Sequence, residues 1–87
     1  MTSSPSKTTV HVLLFARYAE VLGADALSLE LPTPATVDQV VAALRARPGG
    51  EGLPPQPLCA VNMTQATPGT RVTSGDEVAL LPPLAGG

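Results

Sequence analysis

Thr36-Val37-Asp38-Gln39-Val40-Val41-Ala42-Ala43-Leu44-Arg45 is the stretch on which the fold turns. Val37, Val40, Val41 and Leu44 fall at i, i+3, i+4 and i+7, which lays one apolar stripe along a helix. Thr36 is its N-cap, and Gln39 completes a Thr-x-x-Gln capping box that satisfies backbone N–H groups at the open end of the helix. Asp38 near the start and Arg45 and Arg47 near the end suit the helix dipole, and Pro48-Gly49-Gly50 terminates it. A helix apolar on one side must cover something, so the flanking segments have to supply a sheet.

Upstream, Leu27-Ser28-Leu29-Glu30-Leu31 alternates apolar and polar residues as a half-buried strand does, and Pro32 and Pro34 end it. Before it, Val10-His11-Val12-Leu13-Leu14-Phe15 is apolar enough on both faces to be a central strand. Ala16 to Leu22 can form a short helix with Tyr18, Val21 and Leu22 inward, and Gly23 stands just past its end. Downstream, Pro48 to Pro57 holds three glycines and four prolines in ten residues and reads as a loop. It is no phosphate cradle, because no strand leads into it and no Gly-Lys-Ser/Thr follows. Leu58 to Met63 reads as a strand, Thr64 to Arg71 as turns around Pro68-Gly69, and Thr73-Ser74-Gly75-Asp76 as a tight turn into a last strand, Glu77-Val78-Ala79-Leu80-Leu81.

The predicted order is strand, short helix, strand, long helix, strand, strand. A right-handed crossover through the long helix would lay it over one face of a mixed sheet. With the first and last strands side by side, this is an α+β fold of the ubiquitin-like β-grasp kind. Residues 1–9 are polar and read as a disordered arm, residues 10–81 as the domain and residues 82–87 as a flexible tail.

Composition narrows the possible functions. A chain of 87 residues makes one small domain without room for a deep internal pocket. Hydrophobic residues are 44% of it, yet there is one Phe, one Tyr and no Trp, so the core must be built from Val, Leu and Ala. A net charge of −2 and the lack of aromatic platforms argue against nucleic acid as a partner. Cys59 is the only cysteine, so no disulfide framework exists. No apolar run resembles a signal-peptide core or approaches a membrane span, which makes a cytoplasmic protein without membrane contact the expectation.

A self-contained catalyst needs convergent polar groups, and these are scarce. His11 is the only histidine and is expected on the polar face of its strand; no set of His, Cys and carboxylates has metal-ligand spacing. Cys59, in an apolar strand, is expected to be a small buried hydrophobe, with a persulfide carrier as the sharper alternative. Asp76 and Glu77 are adjacent, so a strand would point them to opposite faces; turn and solvent roles suit them better. Lys7, the only lysine, falls in the polar arm as a solubilising charge.

What remains is the run Leu81-Pro82-Pro83-Leu84-Ala85-Gly86-Gly87. Glycine lets a backbone enter a channel too narrow for a Cβ, and two prolines end the strand and hold the tail off the body. Residues 82–87, fully extended, span up to ~20 Å, enough to reach a site in another subunit. A terminal α-carboxylate is a poor electrophile, so its use as a group carrier requires activation, most naturally as an acyl-adenylate formed from ATP by a partner. Sulfur delivered to that acyl group leaves a thiocarboxylate, a softer and stronger nucleophile. On this reading Gly87 carries the chemistry, Gly86 and Ala85 make the tail thin, and Leu84, Pro83, Pro82 and Leu81 dock and orient it.

His11-Val12-Leu13-Leu14-Phe15-Ala16 with Gly23, Ala60-Val61-Asn62, and Gly75-Asp76-Glu77-Val78-Ala79 running into Leu81-Pro82-Pro83-Leu84-Ala85-Gly86-Gly87 resemble the MoaD family, the small sulfur-carrying subunits of molybdopterin synthase. The resemblance covers residues 10–87, and the ending is its most specific part. It implies a thiocarboxylate on Gly87, adenylation by a ubiquitin-activating-like adenylyltransferase, a separate sulfur donor, and sulfur transfer to cyclic pyranopterin monophosphate within the large subunit of a heterotetramer. It implies no cofactor on this chain itself. Family members often carry an Arg-Glu pair in the short first helix where this chain has Ala19-Glu20, with Arg17 two positions earlier, so no partner contact of that arginine carries over. Three other readings compete: a ubiquitin-like modifier conjugated through Gly87, a sulfur carrier for thiamine or cysteine synthesis, and an interaction module whose tail has no covalent role.

Overall fold

The computed structural model describes residues 7–83. Its centre is a five-stranded mixed sheet in the order β2-β1-β7-β4-β5, formed by β1 (Lys7–Leu14), β2 (Ala26–Pro32), β4 (Leu58–Val61), β5 (Thr64–Ala66) and β7 (Glu77–Leu81). A second, two-stranded sheet pairs β3 (Ala35–Thr36) with β6 (Arg71–Val72). The first and last strands lie side by side and parallel, with His11 opposite Glu77 and Leu14 opposite Leu80. The other pairings are antiparallel, and together they make the expected β-grasp.

α2 (Val37–Arg45) carries the capping box read from the sequence, with Thr36 N donating to Gln39 Oε1 at 3.0 Å. Its buried residues, Val37, Val40, Val41 and Leu44, are the predicted stripe. They pack with Val10, Val12 and Leu14 of β1, Leu29 and Leu31 of β2, and Val78 and Leu80 of β7 in one core. Burial of β1 alternates strictly from Thr8 to Leu14, so one face of the sheet meets α2 and the other is left open. Aliphatic side chains and Cys59 fill this core, with Tyr18 of α1 (Arg17–Leu22) its only aromatic member.

Four boundaries depart from the sequence reading. Lys7 to Thr9, assigned to a disordered arm, belong to β1: Lys7 pairs with Pro32, Thr8 is buried, and its hydroxyl lies 2.7 Å from that of Thr33. Lys7 also forms an ion pair with Glu30 at 3.8 Å. Cross-strand pairing turns a polar but β-prone Lys-Thr-Thr run into strand. At its other end β1 stops at Leu14, because the chain bends away through Ala16 at φ 53°, leaving Phe15 outside the strand and Ala16 outside the helix. The third predicted strand ends at Val61, where Asn62 and Met63, both at positive φ, form the turn of a hairpin with β5. The segment from Thr64 to Arg71, expected to be turn-rich around Pro68-Gly69, therefore supplies β5 and the start of β6. Lastly, the Gly/Pro loop contains one 3₁₀ turn, Gly50–Gly52. A Cβ at Gly50 would stand 2.1 Å from the Leu44 carbonyl oxygen, so glycine lets this turn close against the end of α2.

Candidate functional site: the tail exit and the open face of the sheet

β7 is paired with β1 on one side and β4 on the other, so the strand that leads to the tail lies at the centre of the sheet. It ends where Pro82 and Pro83 offer no N–H to a ladder. Leu81 and Pro82 are half-buried and Pro83 is exposed. The candidate residues Leu84, Ala85, Gly86 and Gly87 lie outside the described residues. The structure therefore places three of the predicted site residues, Leu81, Pro82 and Pro83, at one end of the sheet.

Around this exit the strands bring apolar side chains together. Leu81 sits opposite Leu58 of β4, and Phe15 follows directly on the Leu14–Leu80 pair. Phe15 is 44% exposed and Leu58 46%, which is much for large hydrophobic side chains. One rank further along, Ala26, Leu13, Ala79 and Ala60 stand in register across four strands on the face turned away from α2. The result is an open apolar surface that begins at the tail exit and has no cover among the described residues. Sequence reasoning found the Leu81 part of it. Phe15 and Leu58 were assigned to strands without a surface role, although two large apolar residues at strand ends were the available signal.

The opposite end of β7 is clamped by polar groups. The Asp76 carboxylate accepts hydrogen bonds from Thr73 N at 2.8 Å, Asn62 Nδ2 at 3.0 Å and Thr73 Oγ1 at 3.2 Å. These bonds favour the ionised form, so Asp76 titrates below its ordinary 3.8, with the Thr73 backbone donor the largest cause. Asn62 in turn accepts from Glu77 N at 2.9 Å, and its own N–H donates to the Glu77 carbonyl at 2.8 Å. His11 N donates to the Asp76 carbonyl at 2.9 Å, tying β1 into the same knot. Asp76 thus holds the turn role expected of it. Asn62, which the sequence reading left without a role, locks β7 in register with β4.

The remaining titratable candidates stand apart. His11 is exposed on the open face, between Ser28 and Glu77. Cys59 is 3% exposed and faces the core. Burial pushes its thiol up to about 11, and Sγ lies 3.4 Å from the Pro57 carbonyl oxygen, so it is neutral and shielded at physiological pH. Among the described residues no group of three or more His, Cys, Asp or Glu could hold a metal ion, and no helix is long and apolar enough to cross a membrane.

A mixed sheet whose first and last strands lie side by side and parallel at its centre, packed against one main helix, defines a ubiquitin-like β-grasp protein. The chain belongs to the ThiS family, whose model matches residues 12–87. It is 36% identical over 80 residues to the molybdopterin synthase sulfur carrier subunit of Escherichia coli K12, covering 90% of this chain and 99% of that one. To the subunit of the same name from Arabidopsis thaliana it is 32% identical over 83 residues, covering 94% of this chain and 86% of that one. Among solved structures, SAMP1 of Haloferax volcanii superimposes with a TM-score of 0.78 at 32% identity, covering 91% of this chain and 99% of that one. A complex of subunits 1 and 2 of molybdopterin-converting factor from Helicobacter pylori contains the same fold, with a TM-score of 0.66 at 21% identity and coverage of 91% and 99%.

Proposed function

We propose that this chain is the sulfur carrier of a molybdopterin synthase and that its chemistry resides at Gly87. The observation that carries this reading is the match, along nearly the whole chain, to two sulfur carrier subunits of that enzyme. The geometry supports it: β7 delivers the tail from the centre of the sheet, and the apolar surface around Leu81 and Phe15 suits a protein partner. A large subunit is the fitting partner, as in the two-subunit complex whose fold this chain shares.

The carboxylate of Gly87 attacks the α-phosphate of ATP on an adenylyltransferase, and pyrophosphate leaves. Sulfide attacks the acyl carbon and expels AMP, leaving a thiocarboxylate. A donor persulfide attacking through its terminal sulfur leaves an acyl disulfide instead, which a thiol reductant cleaves to the same thiocarboxylate, the reductant leaving as a disulfide. That sulfur then attacks a carbon of cyclic pyranopterin monophosphate in the large subunit and displaces the oxygen that carbon carried, as water at one carbon and as the opened phosphate ester at the other. Hydrolysis of the acyl–sulfur bond returns the carboxylate and leaves the sulfur on the pterin. A dithiolene holds two sulfurs, so two loaded copies are consumed per product. ATP binds the activating partner, and this chain contributes no side chain to the bond-making steps. Catalysis then belongs to the partners, with this chain the sulfur-donor subunit.

Incubation with the adenylyltransferase, ATP and sulfide, followed by intact-protein mass spectrometry, tests the reading through replacement of one oxygen by sulfur at Gly87. The likeness to SAMP1, a small archaeal modifier protein, favours one second reading, conjugation of Gly87 to lysines of other proteins. It would show instead as branched adducts in extracts, lysines of other proteins joined by an isopeptide bond to the end of this chain.

A further inference from the structure

Beside the tail exit, on the β2 side, lies an open hollow of about 550 Å³ lined by Leu13, Phe15, Ala16, Ala19, Asp25 and Ala26. Leu13 and Ala26 are cross-strand partners and make its apolar floor. Ala19 of α1 is half-buried and contributes only a methyl group, so the space that a longer side chain would occupy is empty. The one charged residue in the lining is Asp25, exposed just before β2, its backbone held by the bond from Leu14 N to its carbonyl at 3.0 Å. Among the described residues no cation pairs with Asp25; the ion pair of Lys7 with Glu30 lies at the far end of β1.

An apolar floor with a lone carboxylate on its rim matches a long basic side chain, whose methylenes cover the floor while its charged head meets the carboxylate. The aromatic face of Phe15 adds a second favourable surface for a cation. We propose that this hollow receives a lysine or arginine side chain of the protein that accepts the tail, making Ala19 and Asp25 specificity determinants of that docking. The hollow shares Phe15 with the apolar surface at the tail exit, so a partner seated over the exit also overlies the hollow. This inference rests on the reading of a large-subunit partner given above.

Titration calorimetry of the full chain against the molybdopterin synthase large subunit of the same organism, at low and high ionic strength, separates the two. Ala19→Leu fills the hollow from within; it is expected to weaken binding by about tenfold or more while the melting temperature stays at or above wild type. Asp25→Asn, at an exposed position, is expected to weaken binding several-fold at low salt and to flatten its salt dependence. Wild-type affinity and salt dependence in both variants would overturn the hollow as a docking determinant and leave the partner reading standing. Failure of the wild-type chain to bind the large subunit would overturn both.

Discussion

Cys59 and Asp76 show how environment assigns roles to the few titratable residues of this chain. Cys59 is surrounded by the core, where its neutral thiol fills space. Cys59→Ala is therefore expected to cost about 1 kcal/mol in stability and to leave thiocarboxylate formation intact, as measured by denaturant unfolding and mass spectrometry. Asp76 is held ionised by the donors of Thr73 and Asn62. Its folded-state pKa lies below the unfolded value, so its contribution to stability is present above the ordinary carboxylate range and is lost as pH falls through the depressed folded value. Melting temperatures measured across the acid range should fall more steeply for wild type than for Asp76→Asn, and parallel curves would remove Asp76 from the account. The turn role of Asp76 was legible in Thr73-Ser74-Gly75-Asp76, because its bonds to Thr73, three residues earlier, are local chemistry. The role of Asn62 was not, since its partners Asp76 and Glu77 lie 14 and 15 residues away and only the fold brings them together.

At the scale of elements, α2 was the most legible, since both its cap and its stripe are local patterns. Thr36→Ala removes the hydroxyl half of the capping box and is expected to cost about 1 kcal/mol. For a domain of this size that is roughly 4–8 °C in melting temperature by circular dichroism, with loading of Gly87 unchanged. β7, β2 and the body of β1 were legible as well, through alternation or continuous apolar runs. β5 and β6 were hidden because their residues, Thr64-Gln65-Ala66 and Arg71-Val72, are too few and too polar to show a period. They exist because β4 and β3 offer them ladders, a tertiary cause that outweighs weak local preference. The first residues of β1 were hidden for the same reason. Composition marks Lys7-Thr8-Thr9 as polar, and pairing with Glu30-Leu31-Pro32 makes them strand.

For the whole molecule, the proposed function divides labour between a folded body and a chemically active end. In the proposed function the sheet holds β7 in register, the open face engages a partner, and Gly87 carries the group. Substitutions on the open face should then affect association far more than folding. Phe15→Ala is expected to weaken large-subunit binding by about 2 kcal/mol, close to thirtyfold. Leu84→Asp should weaken it further by placing a charge in a desolvated contact, while the melting temperature of the isolated domain stays near wild type. Unchanged affinity of both variants in titration calorimetry would move the docking surface elsewhere on the sheet. The most direct measurement compares wild type with a chain lacking Gly87, each incubated with the adenylyltransferase, ATP and sulfide and weighed intact. The account predicts equal melting temperatures for the two, with one oxygen replaced by sulfur at Gly87 of the wild type and no sulfur on the shortened chain; sulfur loaded onto the shortened chain, or found on Cys59, would contradict it.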